Sequence, residues 1–275
     1  MEKVAFFSMD VESYFDTSCV RKSGMSVDQK YNCAEDIQKY VHFLDKYGIK
    51  GTFFVVADFI PFCKEYLLEA IEHGHEIGLH CLHHDSFKGK NDEQFREEII
   101  EAKRIVNEEL GVEPVGFRFP RYEYNENQLK ILKDLGFAYD SSQIKPKKDY
   151  IRITDRIYQK DGFYEFCPNT KWLPGKTIKL SGGGFLRFLP KKPMTSMIKK
   201  HIRTHDTFLV YFHPFEIHEG YLPVPNNILI AQKIYINKGR NTFLDFVEEI
   251  LLYLKEQGYT FSNMKEYCLS HKNKE

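Results

Sequence analysis

Two patterns of hydrophobic and polar positions alternate along the chain. Short runs of β-branched and aromatic residues, such as 4–7 and 51–56, have the length and composition of buried strands. Between them lie longer stretches with apolar residues at helical spacing. One such stretch, 92–110, ends at Gly111, a residue type that commonly terminates helices. About seven strand–helix units follow one another without a GxGxxG motif after the first strand, which predicts an α/β fold, namely a single-domain distorted (β/α)7-type barrel.

The alternation is interrupted between residues 141 and 190. This segment has many turn signals and only short aromatic runs. It is therefore predicted to be an irregular insertion that lies near the functional site of the protein. A helix at 192–204, a strand at 208–212 and a helix at 242–257 then restore the pattern. We therefore predict one catalytic domain over residues 1–269. The short, polar and charged tail, 270–275, is predicted to be disordered.

Composition narrows the classes of partner. The 275-residue chain has 39 Lys plus Arg and 39 Asp plus Glu, so no net charge attracts nucleic acid or an anionic membrane surface. No stretch is long and apolar enough to cross a bilayer, and the N-terminus lacks the pattern of a secretory signal. The six cysteines form no CxxC pair and are predicted to be reduced thiols. These features predict a cytoplasmic protein that acts on a small uncharged or mixed substrate, and they leave a homo-oligomer open.

Carboxylates and histidines follow two of the predicted strands. Asp10 and Glu12 come directly after the first strand, and His80 and His84 stand four residues apart after the strand at 76–79. The carboxyl ends of strands in α/β folds collect catalytic groups, and two histidines at this spacing can share a metal. The alternative for the carboxylates is a structural cap or a surface ion pair. For the histidines the alternative is a pair of solvated rings.

Two further strands end in Arg118 and His213. An arginine at this edge could hold a carboxylate in its ionised form, although such arginines are also common surface charges. A histidine there could act as a general acid or could be a hydrogen-bonded structural residue. Because all four strand ends carry residues of this kind, the sequence as a whole predicts a metal hydrolase.

Seven segments carry a family resemblance: SMDVE, GTFF, GHEIGLHCLHH, GFRFP, YDSS, GGGFLR and YFHPFE. Together they resemble the polysaccharide deacetylase family, the carbohydrate esterases that share the nodulation-factor deacetylase domain, from residue 4 to about 259. The resemblance is greatest to a subgroup with an Asp-Val-Glu first motif and a His-Pro-Trp-Glu last motif. The widespread form has two adjacent aspartates, and Val11 replaces the second. Phe215 replaces the tryptophan of the last motif.

The resemblance implies roles for these residues. It implies a divalent metal, zinc by ligand type with Mn, Fe or Co also compatible, held by Glu12, His80 and His84. Asp10 would be the base that deprotonates water, and His213 the acid that protonates the departing amine. The products would be acetate and a free amino sugar.

Further residues receive roles around this centre. Arg118 would orient Asp10 and keep it charged, and the backbone N–H of Arg121 would stabilise the oxyanion. Asp140, in the YDSS segment, would orient a histidine or form a network with Arg118. Arg187 and Trp172, in the 141–190 segment, would contact the substrate, and the glycine run at 182–184 would let the backbone approach it.

Three alternatives stay open at this stage. A sugar deformylase or a cyclic-ureide hydrolase could use the same scaffold, and a catalytically silent carbohydrate-binding relative could retain the fold. The predicted substrate is an N-acetylated amino sugar, and the predicted cytoplasmic location favours a precursor of a surface polysaccharide over finished peptidoglycan or chitin.

Overall fold

The computed structural model describes residues 2–25, 28–84, 87, 89–146, 148–173 and 175–271. The strands are β1 Val4–Val11, β2 Thr52–Val56, β3 Glu76–Cys81, β4 Gly116–Phe117, β5 Tyr139–Asp140, β6 Ile151–Arg152, β7 Ile157–Lys160, β8 Phe163–Phe166, β9 Thr170–Leu173, β10 Lys176–Lys179, β11 Thr207–Phe212 and β12 Thr260–Phe261. The helices are α1 Ser18–Lys22, α2 Asp36–Lys46, α3 Ile60–Glu72, α4 Asp92–Leu110, α5 Glu126–Asp134, α6 Gly183–Phe188, α7 Lys191–Thr204, α8 Ile230–Asn237, α9 Phe243–Glu256 and α10 Met264–His271.

Strand β1 lies second from one end of the main sheet, between β11 and β2. The strand order is β11-β1-β2-β3-β4-β5-β8-β7-β6, with parallel pairing from β11 to β8. All eight residues of β1 are buried, and all except Ser8 and Asp10 are apolar, as expected for a parallel strand that is covered on both faces. Because these strands are parallel, their carboxyl ends meet at one edge. The side chains that follow β1, β3, β4 and β11 therefore converge.

The sheet curls without a continuous ladder between β8 and β11. The gap is bridged by single contacts: the side-chain oxygen of Asn169 accepts from the Leu209 N–H at 2.7 Å, and the Ser181 carbonyl accepts from the Tyr211 N–H at 3.1 Å. The predicted α/β class with a distorted barrel is confirmed.

Helix α4 illustrates how the sequence specifies the outer layer. It begins with a capping box in which Asn91 and Gln94 satisfy each other's backbone N–H groups, and it ends at Gly111, whose φ of 70° is left-handed. Its buried face packs toward the sheet and consists of Phe95, Ile99, Ala102, Val106 and Leu110. Local capping and helical periodicity therefore agree over the 19 residues of this helix.

The prediction that residues 141–190 form an irregular insertion is wrong. Strands β6, β7 and β8 extend the main sheet, β9 and β10 form a separate antiparallel hairpin, and α6 follows. These elements are only two to six residues long, too short for a clear periodic signal. Side chains stabilise them instead. The Glu165 carboxylate accepts the backbone N–H groups of Ser142 and Gln143 at 3.0 and 2.8 Å.

The predicted disordered tail begins too early. Helix α10 includes Ser270 and His271, because Tyr267 and Cys268 on its inner face are buried against the core. Residues 272–275 lie outside the described residues. All six cysteines are free and buried, and within the described residues no helix is long and apolar enough to span a membrane. The assignment of residues 1–269 to one catalytic domain stays a prediction.

Candidate active site

Asp10 lies at the end of β1 and is held by Arg118. The Nη1 atom of Arg118 donates to Asp10 Oδ1 at 2.6 Å, and the same guanidinium donates to the hydroxyls of Ser8 and Ser141 at 3.0 and 2.8 Å. Burial would raise the pKa of the Asp10 carboxyl, but the nearby positive charges, with Arg118 first among them, lower this pKa below its ordinary value. Asp10 is therefore an ionised carboxylate with one fixed oxygen.

Glu12, His80 and His84 form a compact group of donor atoms. Glu12 Oε2 lies 2.7 Å from His84 Nε2 and 3.8 Å from His80 Nε2, and all three side chains are buried. The Nδ1 atom of His80 donates to the Arg118 carbonyl at 2.6 Å, so the lone pair of the neutral ring lies on Nε2. Burial lowers the pKa of His80 to about 4, so the ring is neutral, as a metal ligand must be.

These three residues fit a divalent cation. Glu12 Oε2 is buried and accepts no hydrogen bond of standard geometry, and its contact with His84 Nε2 at 2.7 Å raises the pKa of that ring. A buried carboxylate oxygen without a well-aligned donor is costly, whereas one carboxylate and two imidazoles are a common donor set for zinc and related metals. Histidines that bind a metal through one ring nitrogen typically donate from the other nitrogen to a carbonyl or carboxylate, as His80 Nδ1 does to the Arg118 carbonyl. The predicted ligands are thus brought together, and their role stays a prediction.

Two other groups of donor side chains fit a metal less well. In one, His218 Nδ1 lies 2.8 Å from Asp36 Oδ2, so this ring and carboxylate already satisfy each other beside Cys33. In the other, the rings of His201 and His205 stack 3.6 Å apart at 16°, and parallel rings direct their lone pairs in parallel. Neither group includes a residue that lines the cavity around Asp10, Glu12 and His213.

His213 follows β11 and faces both carboxylates. Its Nε2 atom lies 3.9 Å from Asp10 Oδ2 and 3.8 Å from Glu12 Oε1. Its Nδ1 atom lies 2.9 Å from Glu216 Oε2 and donates to it. Burial would lower the pKa of His213, but the negative charges of Glu12, Glu216 and Asp10 raise it to about 9. His213 is therefore an imidazolium at neutral pH, with its Nε2 proton directed toward the carboxylates.

The prediction that Arg187 contacts the substrate is wrong. Its side chain is buried: Nε donates to Glu216 Oε1 at 2.9 Å, and Nη1 donates to the carbonyls of Tyr235 and Lys238 at 3.1 and 2.8 Å. These acceptors, together with the 2.8 Å approach of Nη2 to Glu216 Oε1, hold the guanidinium inside the protein. Arg187 therefore acts on His213 through Glu216.

The glycine run also has a different main role from the predicted one. A Cβ atom at Gly183 would overlap the Glu216 carboxylate and Phe212, and one at Gly182 would overlap the Tyr211 ring. The absence of side chains lets α6 pack directly against the groups that position His213. The same glycines do line the cavity, as the sequence predicts.

Asp140 contacts neither a histidine nor Arg118. Its oxygens accept from the Ser142 hydroxyl at 2.8 Å and the Ser142 N–H at 3.0 Å, and that hydroxyl accepts from the Phe119 N–H at 2.8 Å. Asp140 therefore supports the backbone after Arg118, while the neighbouring Ser141 binds Arg118 itself. Burial raises the pKa of Asp140 to about 7, next to the buried carboxyl of Glu165.

Arg121 is in a strained turn. Its φ is 59° and that of Tyr122 is 63°, so two successive residues with side chains adopt the left-handed conformation after Pro120. Such strain persists only where the surroundings enforce it, and it often occurs at functional sites. Both residues line the cavity, and the oxyanion role of the Arg121 N–H stays a prediction. The backbone of Trp172 pairs with Thr177, whereas its side chain lies outside what the structure describes.

A cavity of about 540 Å³ brings these groups together. Its lining includes Asp10, Glu12, His80, His84, Arg121, Tyr122, Lys179, Gly182, Tyr211 and His213. Sequence reasoning missed Glu216 and Lys179. Glu216 stands three residues after His213 in the YFHPFE segment, a capping-box spacing that could have revealed it. Nothing in the local sequence marks Lys179, because its position depends on the β9–β10 hairpin.

The curled α/β sheet thus places a carboxylate, an imidazolium and three metal-type donors around one cavity. The family model described as polysaccharide deacetylase matches residues 18–139, somewhat less than half of the chain. A second model, described as a domain of unknown function, matches residues 145–268. The site takes His80, His84 and Arg118 from the first range and His213 and its partners from the second.

Individual relatives agree with this family. The chain is 29% identical over 140 residues to a peptidoglycan-N-acetylglucosamine deacetylase of Bacillus cereus, an alignment that covers 46% of this chain and 51% of that protein. The chain thus spans about half the length of this relative.

Two solved structures share the fold. A family 4 carbohydrate esterase from Bacillus anthracis matches with a TM-score of 0.54 at 17% identity, covering 98% of this chain and 84% of that one. A family 4 pseudoenzyme from the same organism matches with a TM-score of 0.58 at 13% identity, covering 97% and 66%. Fold similarity therefore extends to an active class and a pseudoenzyme, and the site residues must carry the functional argument.

Proposed function

We propose that this protein is a metal-dependent hydrolase that removes the acetyl group from an N-acetylated amino sugar. One observation carries the proposal: the His213 Nε2 atom lies within 4 Å of both Asp10 and Glu12, and Glu12 is a member of the three-donor group. A proton acceptor, a proton donor and a metal-type site thus share one cavity. Metal-assisted amide hydrolysis uses this combination. The names of the relatives support the amino-sugar amide as the bond cleaved.

A divalent ion bound by Glu12, His80 and His84 would supply Lewis-acid polarisation of the amide carbonyl. One carboxylate and two imidazoles suit zinc, and the same donors also accept manganese, iron or cobalt. We favour zinc on donor type.

The protein's own groups then divide the proton transfers. Asp10, ionised and fixed through one oxygen by Arg118, accepts the proton of the attacking water. His213, cationic at neutral pH, donates its Nε2 proton to the departing amine. The backbone N–H of Arg121 donates to the developing oxyanion from its strained turn. The water's oxygen forms the new bond to the carbonyl carbon, the C–N bond breaks, and acetate and a free amine result.

The central experiment measures acetate release and metal content on the same preparations. The substrate is an N-acetylglucosamine oligomer, and the proteins are wild type, His84→Ala and His83→Ala. His83 is the matched control, because it is adjacent but exposed and bound to Asp58 outside the donor group. We expect wild type and His83→Ala to retain about one metal ion per chain and to release acetate. His84→Ala should lose both properties. Stoichiometric metal in folded His84→Ala would contradict the ligand assignment.

The cytoplasmic location and the preference for a precursor stay proposals. They rest on the balanced charge of the chain and its six reduced cysteines. Comparing acetate release from soluble N-acetylated precursors and from peptidoglycan or chitin under one set of conditions would test the preference. Faster hydrolysis of the finished polymer would reject it and leave the deacetylase proposal intact.

A further inference from the structure

Lys179 is a cation in the wall of the reaction cavity. It is the last residue of β10, and its Nζ atom lies 3.4 Å from the centre of the Tyr122 ring and 5.8 Å from the centre of the Tyr211 ring. Tyr122 directly follows Arg121, the proposed oxyanion donor. The aromatic face therefore holds the ammonium group beside the reacting centre.

The two buried arginines of the site each have a carboxylate partner, and Lys179 has none. Arg118 binds Asp10 and Arg187 binds Glu216, whereas Lys179 forms no ion pair with any residue that the structure describes. Burial lowers the pKa of Lys179 to about 8, so the group is still mainly cationic at pH 7. Asp10 attracts Lys179 but is itself paired with Arg118, so this partly desolvated cation lacks a contacting counter-ion, which a ligand anion would supply.

The charges around the cavity also favour an anionic occupant. Two further cations, Lys22 and Arg121, line it without an ion pair to any described carboxylate. The acids are already committed: Asp10 to Arg118, Glu12 to the donor group, and Asp16 to Arg21, whose Nη1 atom lies 3.6 Å away. The uncommitted charges of the lining are therefore positive.

We propose that Lys179 determines specificity for an amino sugar that carries an anionic group, a carboxylate or a phosphate, close to its N-acetyl group. The inference rests on the proposed function, since it assigns the substrate class of the same cavity. The ammonium of Lys179 binds the anion against the ring of Tyr122. Lys22 and Arg121 add longer-range attraction from the exposed part of the wall.

This role differs measurably from stabilisation of the oxyanion by Lys179. The anionic substituent is charged before, during and after the reaction, so its partner contributes uniform binding and acts mainly on KM. The oxyanion is charged only near the transition state, so a cation directed at it would act on kcat for every substrate.

The test uses three probes with the same reacting amide. N,N′-diacetylchitobiose is neutral, a disaccharide ending in N-acetylmuramic acid carries a carboxylate, and UDP-N-acetylglucosamine carries phosphates. Wild type is compared with Lys179→Met and Lys179→Arg, and with Lys171→Met as the matched control. Lys171 lies on the other strand of the same hairpin and does not line the cavity.

We expect wild type to prefer at least one anionic probe over the neutral one, and the preferred probe identifies carboxylate or phosphate as the source of the charge. Lys179→Met should raise KM for that probe by about 10–100-fold, the range expected for loss of a charged hydrogen bond. Lys179→Arg should restore most of the loss, and Lys171→Met should behave as wild type. A uniform fall in kcat on all three probes, or no change, would overturn the inference.

Binding measurements separate this inference from the proposed function. Calorimetric titration of the three probes into Asp10→Asn, with and without Lys179→Met, needs no turnover. Acidic probes that bind only when Lys179 is present, without acetate release by wild type, would support the Lys179 assignment and reject the deacetylase proposal. Acetate release together with equal binding of neutral and acidic probes would do the reverse.

Discussion

The two groups that we propose transfer protons, Asp10 and His213, are held in opposite ways by two halves of the chain. Asp10, from β1, contacts Arg118 directly, and the arginine keeps the carboxyl ionised. His213, from the half matched by the model of unknown function, contacts Glu216, and Arg187 binds the far oxygen of that carboxylate. An arginine supports each group. Arg118 touches Asp10 directly and stabilises its negative charge, whereas Arg187 touches Glu216, whose negative charge stabilises the positive charge of His213. The proposed base, Asp10, is thus kept negative and the proposed acid, His213, positive within one cavity.

The two halves also differ in the structural elements that bring each arginine to its carboxylate. Arg118 is brought to Asp10 by regular parallel strands, a geometry that the alternation of strand and helix specifies. Arg187 is brought to Glu216 by the packing of the six-residue helix α6, through glycines without Cβ atoms. The acid side therefore depends on irregular packing, and the base side on the regular sheet.

The largest expected effect comes from removing either group itself. Asp10→Asn and His213→Ala should each lower kcat for acetate release by about 10²–10⁴-fold, the usual contribution of one general acid or base. The double variant should lose less than the product of the two effects, because the groups act in one reaction. Asp58→Asn, which alters an exposed carboxylate bound to His83, is the control. Near-full activity of either single variant would require new assignments.

The next effect separates the two sides by their pH dependence. In Glu216→Gln the anion next to His213 is lost, so the pKa of His213 should fall from about 9. His213 then loses its proton at lower pH, and the alkaline limb of the kcat profile should move down by about 1–3 pH units. The acidic limb, which reflects Asp10 and its coupled neighbours, should stay in place.

A second variant distinguishes a change in the pKa of His213 from a loss of folded protein. Glu216→Gln leaves Arg187 buried without its carboxylate, and breaking a buried pair costs about 3–5 kcal/mol. Adding Arg187→Met to Glu216→Gln removes both partners and should recover much of the stability, while the alkaline limb stays displaced. An unmoved alkaline limb in the folded double variant would show that Glu216 does not set the protonation of His213.

The same contrast explains what the sequence alone could predict. The strand-end positions of Asp10, Glu12, His80 and His213 follow from the period of the pattern and from parallel pairing. The partner of Arg187 does not, because Arg187 and Glu216 meet only when α6 packs against the turn after β11. Lys179 was missed for the same reason. Short strands stabilised by Glu165 and Asn169 likewise leave no periodic signal, so residues 141–190 were predicted incorrectly.

The smallest expected effect concerns the pH dependence of the free energy of unfolding. It distinguishes acid effects on folding from acid effects on the active-site groups. His75 is buried outside the cavity, and its Nδ1 atom accepts from the Gly51 N–H at 3.0 Å, so the ring is neutral. Burial lowers the pKa of His75 to about 4, the opposite direction to His213. Below about pH 6.5 the unfolded chain binds a proton at His75 that the folded chain does not bind until about pH 4.

Stability should therefore decrease as the pH falls from 6.5 toward 4, by about 1–2 kcal/mol at pH 5 from this ring alone. His75→Gln keeps an acceptor for the Gly51 N–H and cannot titrate, so its free energy of unfolding should fall less between pH 7 and pH 5. Urea unfolding of both proteins at the two pH values measures the difference. His42→Gln, at an exposed ring, should match wild type. Equal losses in wild type and His75→Gln would mean that another group causes the acid sensitivity of the protein. The acidic limb of the kcat profile would then have to be corrected for unfolding before it is assigned to Asp10.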